Sequence, residues 1–392
     1  KMPVRLFSNK SECCGCEACV NACPQSIIEM EADNEGFMYP HVAHAESCIN
    51  CGRCEKVCPI KNVADVEGFK ERAIAGYSHD QIEIKNSASG SLGTAIAKGF
   101  INQGGVVYGV SYTGNCKGAE YRKASTLAEL EDFRTSKYIQ SKKADTFQRV
   151  QGDLKAGIKV LFIGLPCVAY ALQLYLGRTY ENLFVCALIC HGPTSPLVHR
   201  QYVEKLIDKY KSGVTEFSVR YKKDGWKPYY IRAAFENGQE HLEKFAESTY
   251  GVAFLYLKRP SCNTCPIKRT KIHADITIGD YHLASGGQFK PYNSDGVSSA
   301  FIHTVKGEYL VSIADNFFVE EIPVKNALYS EAYHSAIPAR RNREEFGRIL
   351  SSQGLDAACA LRSVKAVENE LARKAWVKRQ GAKVKKLLLG RK

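Results

Sequence analysis

"KVLFIGLPCVAYALQLYLGRTYENLFVCALIC" (residues 159–190) decides the fold. It holds two short apolar runs, "KVLFIGL" (159–165) and "NLFVCALIC" (182–190), with the helix-like "VAYALQLYLG" between them. Apolar runs that do not alternate, joined by a helix, read as buried parallel strands in a βαβ crossover. Residues 160–177 alone reach the minimum length of a membrane span. Pro166-Cys167 divides them, however, Gln173 interrupts their second half, and Lys159 and Arg178 bound them closely. They are read as a buried strand, a turn and a buried helix. The crossover also places two thiols. Cys167 follows the first strand and Cys190 ends the second, so as parallel neighbours the strands would present both at their carboxyl ends. That is where open α/β sheets bind ligands.

Outward from this unit the texture supports an α/β class, α+β overall. "RAIAGYS" (72–78) and "GVVYGVSY" (105–112) read as strands, and "SASGSLGTAIAKGFINQG" (87–104) as a small-residue loop entering a helix. "TLAELEDFR" (126–134) reads as helical with Thr126 as N-cap, and residues 136–157 as a further helix ending near Gly157. An amphipathic helix is expected over 195–211, strands over 214–256, and short strands at 274–280 and 298–304. From about residue 340 the chain reads as helical and increasingly basic.

A chain of 392 residues suggests two or three domains. Of the net charge of +13, +9 lies between Arg362 and Lys392, leaving the remainder mildly basic. A nucleic-acid role is not suggested. Of 16 cysteines, nine precede residue 60 at metal-like spacings. The start, Lys1-Met2-Pro3-Val4-Arg5, has no apolar signal region. A reducing cytoplasm with metal-bound thiolates is therefore expected, rather than a disulfide scaffold.

"CCGCEACVNACP" and "CINCGRCEKVCP" both read C-x2-C-x2-C-x3-C-P. Three close thiolates wrap one cubane, and the fourth, before a proline, reaches across to the other. One [4Fe-4S] cluster should use Cys13, Cys16, Cys19 and Cys58, and the second Cys48, Cys51, Cys54 and Cys23. This resembles the two-cluster bacterial ferredoxin module; a zinc module is the alternative. Cys14 falls outside the register.

A separate CxxC, Cys262 and Cys265, supplies two thiolates where a tetrahedral site or cluster wants four. Cys167 and Cys190 can complete the set. The alternatives are buried thiols at Cys167 and Cys190, His191 in place of one thiolate, or a redox dithiol. Cys186 is expected to be buried, and Cys116 and Cys359 to be structural.

The stretches "SASGSLGTA" (87–95), "FRTSKYIQS" (133–141), "FIGLPC" (162–167), "LICHGPTSP" (188–196), "RPSCNTCPIKR" (259–269) and "ADITIGDY" (274–281) occur in one order over roughly residues 70–305. On them the chain resembles the beta subunit of the coenzyme F-420 (deazaflavin) hydrogenase/dehydrogenase family, with a ferredoxin module fused in front. The resemblance implies a third [4Fe-4S] cluster at Cys167, Cys190, Cys262 and Cys265, with FAD beside it. It places FAD near the loop Ser87, Ser89, Gly90 and Ser91, whose N–H groups would face phosphate or flavin oxygens. Ser136, Lys137, Tyr138, Gln140 and Ser141 are its further candidate contacts, as is Asp280. Asp280, His282 and Lys268-Arg269 are candidates for the substrate side. Arg340, Arg341 and Arg343 are read as charged helix surface.

The implied units are a two-cluster ferredoxin module (1–65), an N-terminal part of the flavin-binding region (70–158), a C-terminal part with the third cluster site (159–340) and a basic helical tail (341–392). The family usually has "SSGG" where this chain has "SASGS". It commonly has Gly where Thr135 stands, and often Phe-Trp-Gly where Tyr281-His282-Leu283 stand. These departures put the substrate in doubt more than the fold.

The reading is a cytoplasmic iron–sulfur flavoenzyme passing electrons between a ferredoxin-like carrier, or partner oxidoreductase, and a small organic substrate. Its rivals are a deazaflavin oxidoreductase, a non-enzymatic electron-relay subunit and a zinc-bound scaffold. Homo-oligomerisation and membrane-surface contact through the tail (372–392) are further expectations.

Overall fold

The computed structural model describes residues 4–370, 373 and 376. The expected crossover is present. β6 (Val160–Gly164) and β7 (Leu183–Leu188) pair in parallel, joined by the helix Pro166–Leu176. The helix opens on a proline at its first turn and closes at Gly177, φ +66°. β6 and β7 are almost wholly buried because the sheet is covered on both faces.

They lie at the centre of an eight-stranded sheet. β4 (Val106–Tyr112), β6, β7 and β11 (Ile276–Asp280) run parallel in that order. β5 (Ala119–Ala124) pairs antiparallel outside β4. β12 (Ser298–Ile302), β3 (Arg72–Ser78) and β13 (Phe317–Glu321) extend the other edge antiparallel. A hairpin, β1 (Ile28–Ala32) with β2 (Met38–Val42), belongs to the N-terminal segment. A three-stranded sheet is formed by β8 (Val214–Tyr221), β9 (Tyr230–Phe235) and β10 (Glu240–Lys244).

The N-terminal segment shares its core with the rest. Cys16, Ala18 and Val57 bury into the same apolar cluster as Phe147, Val168 and Leu172. Phe37 and Tyr39 join the cluster built on β8, β9 and the helices Pro196–Tyr210 and Arg343–Gln353.

Five expectations are corrected. Residues 136–145 are not helical, and only Thr146–Lys155 is. Thr135 and Ala144 take positive φ, and Gln140 N donates to Thr194 O (3.1 Å), so the segment runs extended. The strands of 214–256 stop at Lys244, and Thr249–Tyr256 is a helix capped by the Ser248 hydroxyl. β7 ends at Leu188, leaving Cys190 two residues beyond it. Thr126 Oγ1 accepts from Glu129 N (3.3 Å), but the turn it starts is a short 3₁₀ helix, Glu129–Phe133. Arg343 makes a two-pronged ion pair with Glu35 instead of lying on open surface. Among the described residues no helix is long and apolar enough to cross a membrane. The tail reading over 372–392 falls outside the described residues, Arg373 and Trp376 apart.

Candidate iron–sulfur and ligand site

Both N-terminal motifs fold by the same rule. The residues between their first three cysteines take left-handed φ at matching places: Gly15 (+68°) and Glu17 (+63°) in one, Asn50 (+52°) and Gly52 (+71°) in the other. This curls the backbone so that its N–H groups turn toward sulfur. Gly15, Ala18 and Val20 turn toward Cys13, Cys16 and Cys19 and pull against burial, which still leaves Cys13 and Cys19 raised.

The four thiols expected at the first cluster lie within each other's electrostatic reach. Burial pushes Cys19 well up, and Cys16, Cys13 and Cys58 add to it. Cys58 is likewise raised by burial, with contributions from Cys16 and Cys13. The four expected at the second cluster, Cys23, Cys48, Cys51 and Cys54, line one cavity with Ile27, Ile28, Val42 and Ile49. Two soft four-thiol sets with N–H donors fit iron–sulfur clusters. Among the described residues no three His, Cys, Asp or Glu side chains form a group for a single metal ion. All 16 cysteines are free thiols.

The remaining set is also brought together. Cys167 sits in the first turn after β6, Cys190 just past β7, and Cys262 in the short helix Pro260–Asn263. Cys262 is raised strongly by burial and then by Cys190, Cys167 and Cys265. Burial pushes Cys190 up to about 11, against the pull of Lys268. Gly192 (φ +93°) is required between them, since a Cβ there would lie 2.7 Å from Cys262 Cβ. Its N–H donates to Cys190 Sγ (3.2 Å). Ser261 Oγ, buried beside Cys262, has no partner and is a spare donor for such a group. His191 is lowered to about 4 by burial and by Lys258, Lys268 and His282, so it is neutral at pH 7. Cys186 is fully buried, as expected, and Cys116 is buried in the apolar core.

Cys14 links the two regions. It packs, with Cys167, against the apolar cluster that buries Cys16, and the three thiols shift one another, Cys14 upward and Cys167 downward.

The candidate flavin residues fall into two groups. In the 87–91 loop the serines face inward. Ser87 Oγ donates to Ile84 O and Ser89 O, and Ser89 Oγ meets Ser298 Oγ at 2.8 Å. Gly90 N and Leu92 N donate to Ser298 Oγ at 3.0 and 3.3 Å, so these two amides are not free for phosphate. Ser91, at φ +77°, reaches Glu83 Oε2 at 3.5 Å.

In the second group, Lys137 Nζ caps Asp132 O and Arg134 O (2.8 and 2.6 Å). Gln140 is turned toward the N-terminal segment, accepting from Arg259 Nη1 (2.9 Å) and Met38 N (3.3 Å). Ser141 O accepts from Lys143 Nζ, and Ser136 lies half-buried in the same segment. Tyr138 OH accepts from Arg220 Nη1 (2.8 Å), and Asp280 Oδ2 accepts from Arg220 Nη2 (2.7 Å). Burial alone would raise Asp280, but Arg220 overrides it and holds the carboxyl below the usual range. His282 Nδ1 stands 4.0 Å from the same oxygen. Lys268 Nζ caps Cys190 O and Ala332 O, while Arg269 pairs with Glu71.

Sequence reasoning missed the polar hub around Asp280. Arg220 comes from β8, and Lys222, Trp226 and Tyr229 from the connection between β8 and β9. Arg220 Nη2 and Trp226 Nε1 donate to Ala88 O (2.6 and 3.2 Å). Lys222 Nζ donates to Ile84 O and Ser89 O (2.5 and 2.6 Å), and Arg220 stacks 3.9 Å from the Tyr229 ring centre. Its one trace in the sequence is the pair Arg220 and Lys222 at period two, which reads equally well as a solvated strand face.

Comparison with known proteins agrees with this organisation. Residues 157–326 match the model described as the C terminus of the coenzyme F420 hydrogenase/dehydrogenase beta subunit, and residues 12–62 match the 4Fe-4S dicluster domain. An F(420)H(2) dehydrogenase subunit from Methanosarcina mazei is 22% identical over 332 residues, 79% of this chain and 85% of that one. The ketoisovalerate oxidoreductase subunit VorC of Methanothermobacter marburgensis is 35% identical over 60 residues, 15% of this chain and 75% of that one. Among solved structures, a chain of the F420-reducing [NiFe] hydrogenase complex from Methanosarcina barkeri aligns with TM-score 0.44 and 17% identity, covering 78% of this chain and 94% of that one. Electron transfer through iron–sulfur clusters is the chemistry of the N-terminal domain. Residues 157–326 thus match the C-terminal model of the coenzyme F420 hydrogenase/dehydrogenase beta subunit, behind a 4Fe-4S dicluster domain at residues 12–62.

Proposed function

We propose that the chain is a flavin-dependent iron–sulfur oxidoreductase that carries electrons between a ferredoxin-like carrier or partner oxidoreductase and a small organic substrate. The observation that carries this reading is the shared apolar cluster in which Cys16 is buried and against which Cys14 and Cys167 both pack, joining the dicluster domain to the second four-thiol set. A third [4Fe-4S] cluster at Cys167, Cys190, Cys262 and Cys265 and an FAD nearby would supply, when bound, the change from one-electron to two-electron chemistry. Gly192 keeps the Cys190 and Cys262 loops close, and Lys268 ties the Cys190 backbone to Ala332.

Support for a ligand beside this set comes from His191, which follows Cys190 and feels the charges of Asp280 and His282. The Arg220–Asp280 pair, with Tyr138 and the Ala88 carbonyl, forms the rigid floor on which FAD or substrate would be oriented. The electron partner would meet the chain at the Cys48–Cys54 end, where Cys51 and Ile49 are exposed.

The test is iron, labile sulfide and released flavin on anaerobically purified protein. About twelve irons and one FAD per chain are expected. About eight irons without flavin, after full reconstitution, would reduce the chain to a ferredoxin fused to a binding domain. A second reading, reduction of the deazaflavin coenzyme itself, is favoured by similarity to the Methanosarcina mazei protein. Turnover with that coenzyme decides it.

A further inference from the structure

Arg259 is 1% exposed, yet every partner of its guanidinium is formally neutral in the protein as it stands. Nε donates to Cys13 O (2.6 Å), Nη1 to Gln140 Oε1 (2.9 Å) and Nη2 to Met38 O (2.7 Å). Nη2 also points at Cys13 Sγ (3.6 Å), and the Tyr39 ring centre lies 3.9 Å away. Among the described residues no carboxylate pairs with it. The other buried cations meet burial differently. Arg220 has Asp280 at 2.7 Å and Lys143 has Glu17 at 3.9 Å. Lys222 and Lys258 make no ion pair among the described residues either, but burial lowers their pKa and an amine can shed its proton, which a guanidinium cannot. A buried cation without an anion is costly, so a negative charge is missing from the account.

The surroundings are shaped for this side chain. A Cβ on Gly15 would come within 2.8 Å of the guanidinium carbon, so the Cys13–Cys16 loop admits the fork only because residue 15 is glycine. Arg259 also stands directly before the helix Pro260–Asn263, which carries Cys262. One side chain therefore joins the loop of one thiol set to the loop of another.

We propose that Arg259 is the built-in counter-charge of the cluster held by Cys13, Cys16, Cys19 and Cys58, and that it raises the reduction potential of that cluster and not that of the Cys48 cluster. Four thiolates around an iron–sulfur core leave a net negative charge, which supplies the missing partner. One electron arriving makes the site one charge more negative, and a fixed positive charge in a low-dielectric setting favours that state. No bond is made or broken. Arg259 is a positioning residue and not a catalytic one. The inference rests on the assignment of Cys13 to this cluster.

The experiment is an EPR-monitored redox titration of the full anaerobic chain, with iron counted on each sample. Cys13→Ser identifies which signal belongs to this cluster; if it changes no signal and no iron, the ligand assignment has failed, and not the counter-charge. Arg259→Gln should move this cluster to lower potential while the Cys48 cluster stays in place. Gln140→Glu puts a carboxylate where Arg259 already donates and should lower the same potential with the arginine still present. Arg259→Lys, which keeps the charge, should shift it least. Should Arg259→Gln fail to load iron, Gln140→Glu decides. Unmoved potentials in the loaded variants, or equal shifts of both clusters, overturn the inference.

Discussion

The two cysteine motifs are near copies in sequence and opposites in setting. Cys16 is 7% exposed and packs among residues of the helix that follows β6. At the equivalent place in the second motif, Cys51 is exposed, and its neighbour Ile49 is 59% exposed. The contrast is sharpest at the left-handed position between the second and third cysteines. The outer copy uses Gly52, which needs no support there. The inner copy uses Glu17, whose carboxylate accepts from Lys143 N (3.0 Å) and Ala144 N (2.9 Å). One motif thus exchanges with the surroundings and the other is built into the protein, and residues more than a hundred positions away make the difference.

Exchanging ligands tests this most severely. Cys16→Ser should lose about four irons and also loosen the apolar cluster beneath it, lowering the melting temperature of the whole chain. Cys51→Ser should lose the same iron with a much smaller change in melting. Equal melting losses would erase the distinction. At the next level, Glu17→Gly relieves a left-handed φ but strips two amides of their acceptor and the Lys143 ammonium of its ion-pair partner. A net loss of about 2–4 kcal/mol is expected in denaturant unfolding. The mirror change, Gly52→Glu, should cost only about 1–2 kcal/mol of backbone strain.

The buried interior also predicts a pH dependence. Burial, reinforced by Arg220, lowers Lys222 to about 7. Its folded pKa thus lies below the unfolded value, so between about pH 7 and 10.5 the unfolded chain holds the extra proton. Stability should rise with pH across that window, by up to about 1.4 kcal/mol per unit from this group, and be lost again as pH falls toward 7. Lys222→Met should flatten the slope in urea melts at several pH values. At the outer end effects should fade. Lys61 pairs with Glu55 at 2.8 Å on open surface, and Lys61→Ala should change stability by no more than about 0.5 kcal/mol. A larger loss would mean that the second motif is also braced by its surroundings.

Local sequence made much of this legible. Continuous apolar runs bounded by Pro166 and Gly177 allow little besides a buried crossover, and β6 and β7 pair as that pattern requires. The cysteine register carries its own meaning because sulfur spacing and left-handed turns are local. The failures also have a local cause. Residues 136–145 have helical composition, but their hydrogen bonds go to Thr194 and to the N-terminal segment, which no window of sequence reveals. Arg220, Lys222 and Arg259 look like ordinary surface cations until distant carbonyls close over them.

By itself, the sequence determined the thiol motifs, the parallel crossover and, to within two residues, the positions of Cys167 and Cys190 at the carboxyl ends of neighbouring strands, since each follows from residues within a few turns of one another. Only the tertiary structure decided which motif is buried, that Cys14 and Cys167 pack against one apolar cluster, and that Arg259 faces Cys13 without a carboxylate. Burial and charge compensation are properties of a closed volume, and the residues enclosing it here come from every part of the chain.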